Sequence, residues 1–200
     1  MFDTISVRRF SPGRVKGLIF LLLCAASLIL FSRDLKADST EWSETIDVSN
    51  SGEESRAPQI ALSSDGTKAT AVWRSYDGFN DVIQSASASI SGNIAVWGPI
   101  TSISEAGENA DEPHLALSAD GTTATAVWWR DNGSHSIIQS RTATVSDGSA
   151  SWGVVSDLSA PGQHATSPRV ALSADGSKAT AIWYRNNGSG KDIQSSSAAI

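Results

Sequence analysis

Three aspartates, Asp65, Asp120 and Asp175, recur at a fixed step of 55 residues, and carboxylates in register are the raw material of hydrolases and metal sites. Each is followed at once by glycine (Gly66, Gly121, Gly176) and lies between apolar runs. An Asp-Gly pair in that setting marks a tight hairpin, where the carboxylate bonds the turn backbone and glycine accepts a positive φ. The aspartates are therefore expected to build turns. Gln84, Gln139 and Gln194 keep the same step. They could line a surface, but a strand glutamine more often pairs with backbone or with a neighbouring unit. Trp73, Trp128 and Trp183 are expected to pack between units. His114, His135 and His164 fall at unrelated positions, and neither Gly-x-Ser-x-Gly nor His-x-x-x-His occurs, so no nucleophile and base are brought together by spacing.

Ligand chemistry is better served by three loops: Arg74-Ser75-Tyr76-Asp77-Gly78, Trp129-Arg130-Asp131-Asn132-Gly133 and Tyr184-Arg185-Asn186-Asn187-Gly188. A planar ring stacks on an apolar face while guanidinium and amide groups supply hydrogen bonds. The candidate ligand-binding residues are Arg74, Tyr76, Trp129, Arg130, Tyr184 and Arg185. Arg74 stands one position earlier than Arg130 and Arg185 in the repeat, so it is expected on the opposite strand face. Asp77, Asn80, Asp81, Asp131 and Asp192 are oxygen donors of the kind calcium uses, but they do not match the spaced calcium loop. No metal and no cofactor is expected.

These residues are positioned by a gapless repeat of 55 residues. Ala61–Trp73 reads ALSSDGTKATAVW, Ala116–Trp128 reads ALSADGTTATAVW and Ala171–Trp183 reads ALSADGSKATAIW, with nine of thirteen columns identical. Pro58, Pro113 and Pro168 precede the windows, and Trp42, Trp97 and Trp152 close the units. A period of this size means one supersecondary unit copied and stacked. Alternation and turn signals divide the first unit into strands over Gln59–Ser63, Ala69–Trp73, Val82–Ile90 and Ile94–Ser102.

Four antiparallel strands per repeat predict an all-β fold of four-stranded blades, a β-propeller or partial propeller of about three blades. Alanine and threonine on both faces of the second strand suit a sheet held between two neighbours. A β-solenoid is the second reading, because its coil is usually shorter and has fewer hairpins. The pattern Pro-x-x-x-x-Ser-x-Asp-Gly followed by a small apolar strand ending in an aromatic resembles TolB-type (WD40-like) propeller repeats. Pro58, Ser63, Asp65, Gly66 and Trp73 and their equivalents carry the resemblance, over the first half of each unit. It implies a blade fold and says little about activity. The sialidase-type aspartate box fails, because Asp65 and Gly66 are adjacent and Trp73 stands seven residues beyond the glycine.

Before the repeats, Arg8, Arg9, Arg14 and Lys16 precede an apolar run from Leu18 to Phe31. As a helix that run rises about 21 Å, short of a roughly 30 Å hydrocarbon core. Residues 1–37 are read as a signal peptide or signal anchor, which places the rest in a secreted, periplasmic or cell-surface setting. Cys24 is the single cysteine, so residues 38–200 rely on neither disulfides nor thiolate metal ligands. Those residues carry 9 basic and 19 acidic side chains, a balance of −10 that argues against nucleic acid and anionic lipid as partners.

Residues 38–57 hold a lone fourth strand, 58–112 and 113–167 are whole blades, and 168–200 is an incomplete one. Two readings follow: two chains complete a ring as a homodimer, or the chain is the N-terminal fragment of a longer repeat protein. The function expected is a non-catalytic protein- or glycan-binding or scaffolding module. The alternative is a sialidase-like glycoside hydrolase fragment, which needs arginines converging on one channel.

Overall fold

The computed structural model describes residues 41–200, and the expected signal segment, 1–37, lies outside them. The described elements are all strands. The first sheet contains β1 (Ser55–Leu62), β2 (Lys68–Tyr76), β3 (Asp81–Ser91) and β4 (Ile94–Trp97) in that order, with β5 (Thr101–Ser102) also on β3. The second repeats it with β6 (Ala110–Leu117), β7 (Thr123–Asp131), β8 (Ser136–Ser146), β9 (Ser149–Trp152) and β10 (Ser156–Asp157). The third holds β11 (Ala165–Leu172), β12 (Lys178–Asn186) and β13 (Lys191–Ala199). All pairings are antiparallel, giving a partial, propeller-like all-β fold.

The first three strands of the first sheet run two to four residues longer than the turn signals suggested, and the fourth is split. β4 and β5 (likewise β9 and β10) both pair with the third strand of their own sheet, with one extra residue between them: Trp97 and Ser102, five positions apart, face Ala88 and Gln84, four apart, and Trp152 and Asp157 face Ala143 and Gln139 in the same way. Within residues 38–57, where a lone fourth strand is expected, the described residues 41–54 form no strand and 55–57 open β1.

Each first hairpin turns on the motif read from sequence. Ser63 Oγ donates to Asp65 Oδ1 at 2.6 Å, and Thr67 donates to the same oxygen from its backbone N–H at 3.0 Å and its hydroxyl at 2.9 Å. Asp120 and Asp175 repeat this with Ser118 and Thr122 and with Ser173 and Ser177. The three aspartates are turn residues, as expected.

Small side chains let the sheets stack face to face. Thr70 and Ser87, and Thr125 and Thr142, each share a cross-strand hydroxyl bond of 2.9 Å, which satisfies polar groups on closely packed faces, and Thr180 and Ser197 make the same bond on an exposed face of the third sheet. Between the first two sheets, Val72, Ile83 and Ile103 pack against Leu115, Ala126 and Trp128. Between the second and third, Val127 and Ile138 pack against Val170, Ala181 and Trp183. Each fully buried isoleucine there stabilises the fold by about 1.5–3 kcal/mol relative to exposure. The stack is stitched at its turns as well: Ser64 N–H donates to Ala119 O at 2.7 Å, and Ala119 N–H to Ala174 O at 2.8 Å.

Candidate functional site

The six residues expected to bind ligand take separate structural places. Arg74 points toward the second sheet, where its Nη1 meets Asp111 Oδ2 at 2.7 Å, with Asp81 on its own sheet at 3.5 Å. Trp129 and Tyr184 share its column in the repeat. Trp129 packs on the core between the second and third sheets, and Tyr184 is exposed beneath Lys191, whose Nζ lies 5.5 Å from its ring. Arg130 and Arg185 lie on the other face, as the register required. Arg130 pairs with Glu108 at 2.8 Å and Glu105 at 3.7 Å, and Arg185 Nε donates to Gln163 Oε1 at 3.1 Å. The first sheet fills that position with Ser75, whose hydroxyl donates to Glu53 at 2.8 Å. In all three sheets this residue therefore clasps the connection that enters its own sheet. Tyr76 is half-exposed and donates to Gly78 O at 3.0 Å.

The glutamines bond within the sheets. Trp73 Nε1 donates to Gln84 Oε1 at 3.1 Å, and Gln84 Nε2 donates to Glu53 at 2.9 Å. Glu53 is held below the usual carboxylate range by hydrogen bonds from Ser75, Asn50 and Gln84, in that order. Trp183 repeats the bond to Gln194 at 3.3 Å. In the second sheet Gln139 donates instead to Asp157 at 2.8 Å, and Trp128 Nε1 has no partner.

A different set of residues is brought together at the edge strands. β1, β6 and β11 are the terminal strands of their sheets and lie beside one another. Each carries a β-bulge at the same place: between Arg56 and Gln59, Asp111 and His114, and Thr166 and Arg169. The bulged residues Ala57, Glu112 and Ser167 have φ of 52°, 52° and 55°. A non-glycine residue there, directly before proline, is held against its local preference at a cost of order 1–3 kcal/mol. Bulges of this sort re-aim side chains.

Around the strained residue the three copies diverge completely: Arg56, Asp111, Thr166; Ala57, Glu112, Ser167; Gln59, His114, Arg169. The divergent groups bond across the copies. Ser167 N–H donates to Glu112 Oε2 at 2.7 Å, and Val170 N–H donates to His114 Nδ1 at 3.2 Å. Burial, aided by the positive charge of Arg169, lowers the His114 pKa below the usual histidine value, favouring a neutral ring with its proton on Nε2. Gln59 and Arg169 each donate back to the preceding proline carbonyl, at 2.9 and 2.7 Å. The signal for this row was present in the sequence, as three variable columns flanking an invariant proline, but attention to aromatic loops passes over it.

Among the described residues no group of three His, Cys, Asp or Glu side chains is placed to hold a metal ion. No family model and no curated protein matches the chain.

Proposed function

We propose that this chain is an exported, non-catalytic binding or scaffolding module of the β-propeller type, built from TolB-like repeats, that takes a protein or glycan ligand along the row of bulged edge strands. The observation that carries this reading is the combination of strain and variety at one repeated position. Framework residues are kept in every copy, while the side chains displayed by Ala57, Glu112 and Ser167 and their neighbours differ in charge and size. Backbone strain of this kind collects where side chains are aimed for recognition. The arginines that a sialidase-like site would need are engaged by other side chains of the repeat region, Arg74 by Asp111 of the neighbouring sheet, Arg130 by Glu108 and Arg185 by Gln163 of the entering connections, which favours binding over glycoside hydrolysis.

The test is to apply the full chain to an oligosaccharide array and a library of extended peptides, beside Gln59→Ala/Glu112→Ala/Arg169→Ala. Retention of one ligand class by the wild type, lost at least tenfold in the variant, supports the reading. Equal retention by both would move the site elsewhere, and turnover of a fluorogenic sialoside would replace binding by hydrolysis.

A further inference from the structure

The two outer faces of the stack are the two halves of an interface that the chain already makes twice. On the first sheet Ile60 is 62% exposed, whereas its equivalents Leu115 and Val170 are each 7% exposed under a preceding sheet. On the third sheet Ile193 is 62% exposed, whereas Ile83 and Ile138 are fully buried under a following one. Beside Ile60 lies a cleft of about 450 Å³, lined by Val48, Ser49, Ala71, Trp73 and Trp97. In the two formed interfaces the corresponding space is filled by the pairs Val72 with Ile83 and Val127 with Ile138. The residues in that register on the third sheet are Ile182 and Ile193.

The polar contacts repeat with the same register. Ile83 N–H donates to Ser104 Oγ at 2.9 Å, and Ile138 N–H to Ser159 Oγ at 2.8 Å. Ile103 N–H donates to Ile83 O, and Leu158 N–H to Ile138 O, both at 2.7 Å. Gln139 donates to Asp157. One step of 55 residues earlier than Ile103 and Ser104 stand Val48 and Ser49, and Asp47 falls two steps before Asp157. The segment Ile46–Ser49 thus keeps the side chains of a β5- or β10-type strand, yet it forms no ladder, and β13 is the free edge of its sheet.

We propose that a second copy of this chain fills both openings. Ile46–Ser49 of each copy pairs with β13 of the other, and Ile182 and Ile193 of each enter the other's cleft at Ile60. By register, Gln194 meets the second copy's Asp47, Ile193 meets its Val48 and Ser49, and Ala174 N–H meets its Ser64 carbonyl. Each contact copies one seen inside the chain. The contact is head-to-tail, and reciprocal pairing of two copies closes it with six sheets, inside the four to eight typical of closed rings. It also covers the unpaired edge of β13, which would otherwise invite aggregation.

Ser195 falls opposite Ile46 in this pairing, as Ser85 lies opposite Thr101 and Ser140 opposite Ser156. Opposed strand residues lie within disulfide reach. With Cys24→Ser as background, full chains carrying Ile46→Cys or Ser195→Cys are purified in mild detergent, mixed and oxidised. Expected is a disulfide-linked pair in the mixture at several times the level in either variant alone. Light scattering should give twice the chain mass for the background protein, and a single mass for Ile193→Glu, whose change falls on an already exposed side chain. In a further variant carrying both Ile46→Cys and Ser195→Cys, an intrachain link or a ladder of longer linked species would overturn reciprocal pairing, as would a single mass for the background protein.

Discussion

Asp111 Oδ2 stands 2.7 Å from Arg74 Nη1 on the neighbouring sheet, while its other oxygen accepts the backbone N–H of Glu112 at 2.6 Å. One carboxylate thus ties the first sheet to the strained bulge of the second. Because the pair is partly buried, its loss leaves Arg74 short of its best partner, with Asp81 at 3.5 Å the remaining acid. Asp111→Ala is expected to cost about 1–3 kcal/mol, the range for a charged hydrogen-bonding partner removed from a partly buried site. Asp81→Ala should cost less than half of that. Urea unfolding of the two variants decides the order, and equal costs would remove Asp111 from its tying role.

The hairpin aspartates make stability depend on acid. Bonds from the serine hydroxyl first, then from the backbone N–H and hydroxyl two residues on, bring Asp65 and Asp175 down to about 2 and lower Asp120 in the same direction. A carboxylate whose folded pKa lies below its unfolded value of roughly 3.9 stabilises the fold above that value. The contribution is lost as pH falls through about 2. Thermal midpoints should therefore fall from pH 5 to pH 2. Asp65→Asn/Asp120→Asn/Asp175→Asn should start lower and decline less. An unchanged slope in the triple variant would assign the acid sensitivity to other groups.

The tryptophans separate packing from hydrogen bonding. Trp128 is fully buried in the core between the first two sheets, with its Nε1 unpartnered, whereas Trp152 Nε1 donates to Ser85 Oγ of the neighbouring sheet at 2.8 Å. Trp128→Ala is expected to cost about 3–5 kcal/mol through the cavity it leaves. Trp152→Phe, which keeps most of the ring volume, should cost about 1 kcal/mol for the lost bond. Denaturant midpoints measure both, and a Trp152→Phe change as large as Trp128→Ala would show that its indole packs rather than bonds.

What could be read from sequence follows from how local each cause is. The turn chemistry of Asp65, Asp120 and Asp175 lies within five residues, so an Asp-Gly pair announces it. The strand order follows from a repeat that needs no three-dimensional knowledge to detect. The partners of Arg74 and Arg130 stand 37 and 22 residues away, and nothing beside either arginine tells whether it faces solvent or an acid on another element. The bulges were hidden for a stronger reason. Ala57, Glu112 and Ser167 each precede proline, where local rules call for extended backbone, and their left-handed conformation is imposed by the pairing of β1, β6 and β11 with their neighbours.

Glycine at a repeated position can be required by the backbone, by a neighbour or by both, and two glycines separate these causes. Gly121 and Gly133 have φ of +68° and +84°, so alanine is strained at either. At Gly133 a Cβ would meet open space, and the expected cost is about 1 kcal/mol, that of a left-handed alanine. At Gly121 the Cβ would come within 2.9 Å of Ser63 Cβ and of Lys68 Cδ on the first sheet's hairpin. The lysine stem can swing away, but Ser63 is fixed by its bonds to Asp65 and to the Lys68 backbone. The hairpins must then move apart, stretching the bond from Ser64 N–H to Ala119 O. Gly121→Ala should cost at least about 1 kcal/mol more than Gly133→Ala, because overpacking adds to the conformational strain. Hydrogen exchange at Ser64 should quicken in the first variant and stay unchanged in the second. Equal destabilisation with a protected Ser64 amide would mean that the hairpins are not stacked in solution as they are here.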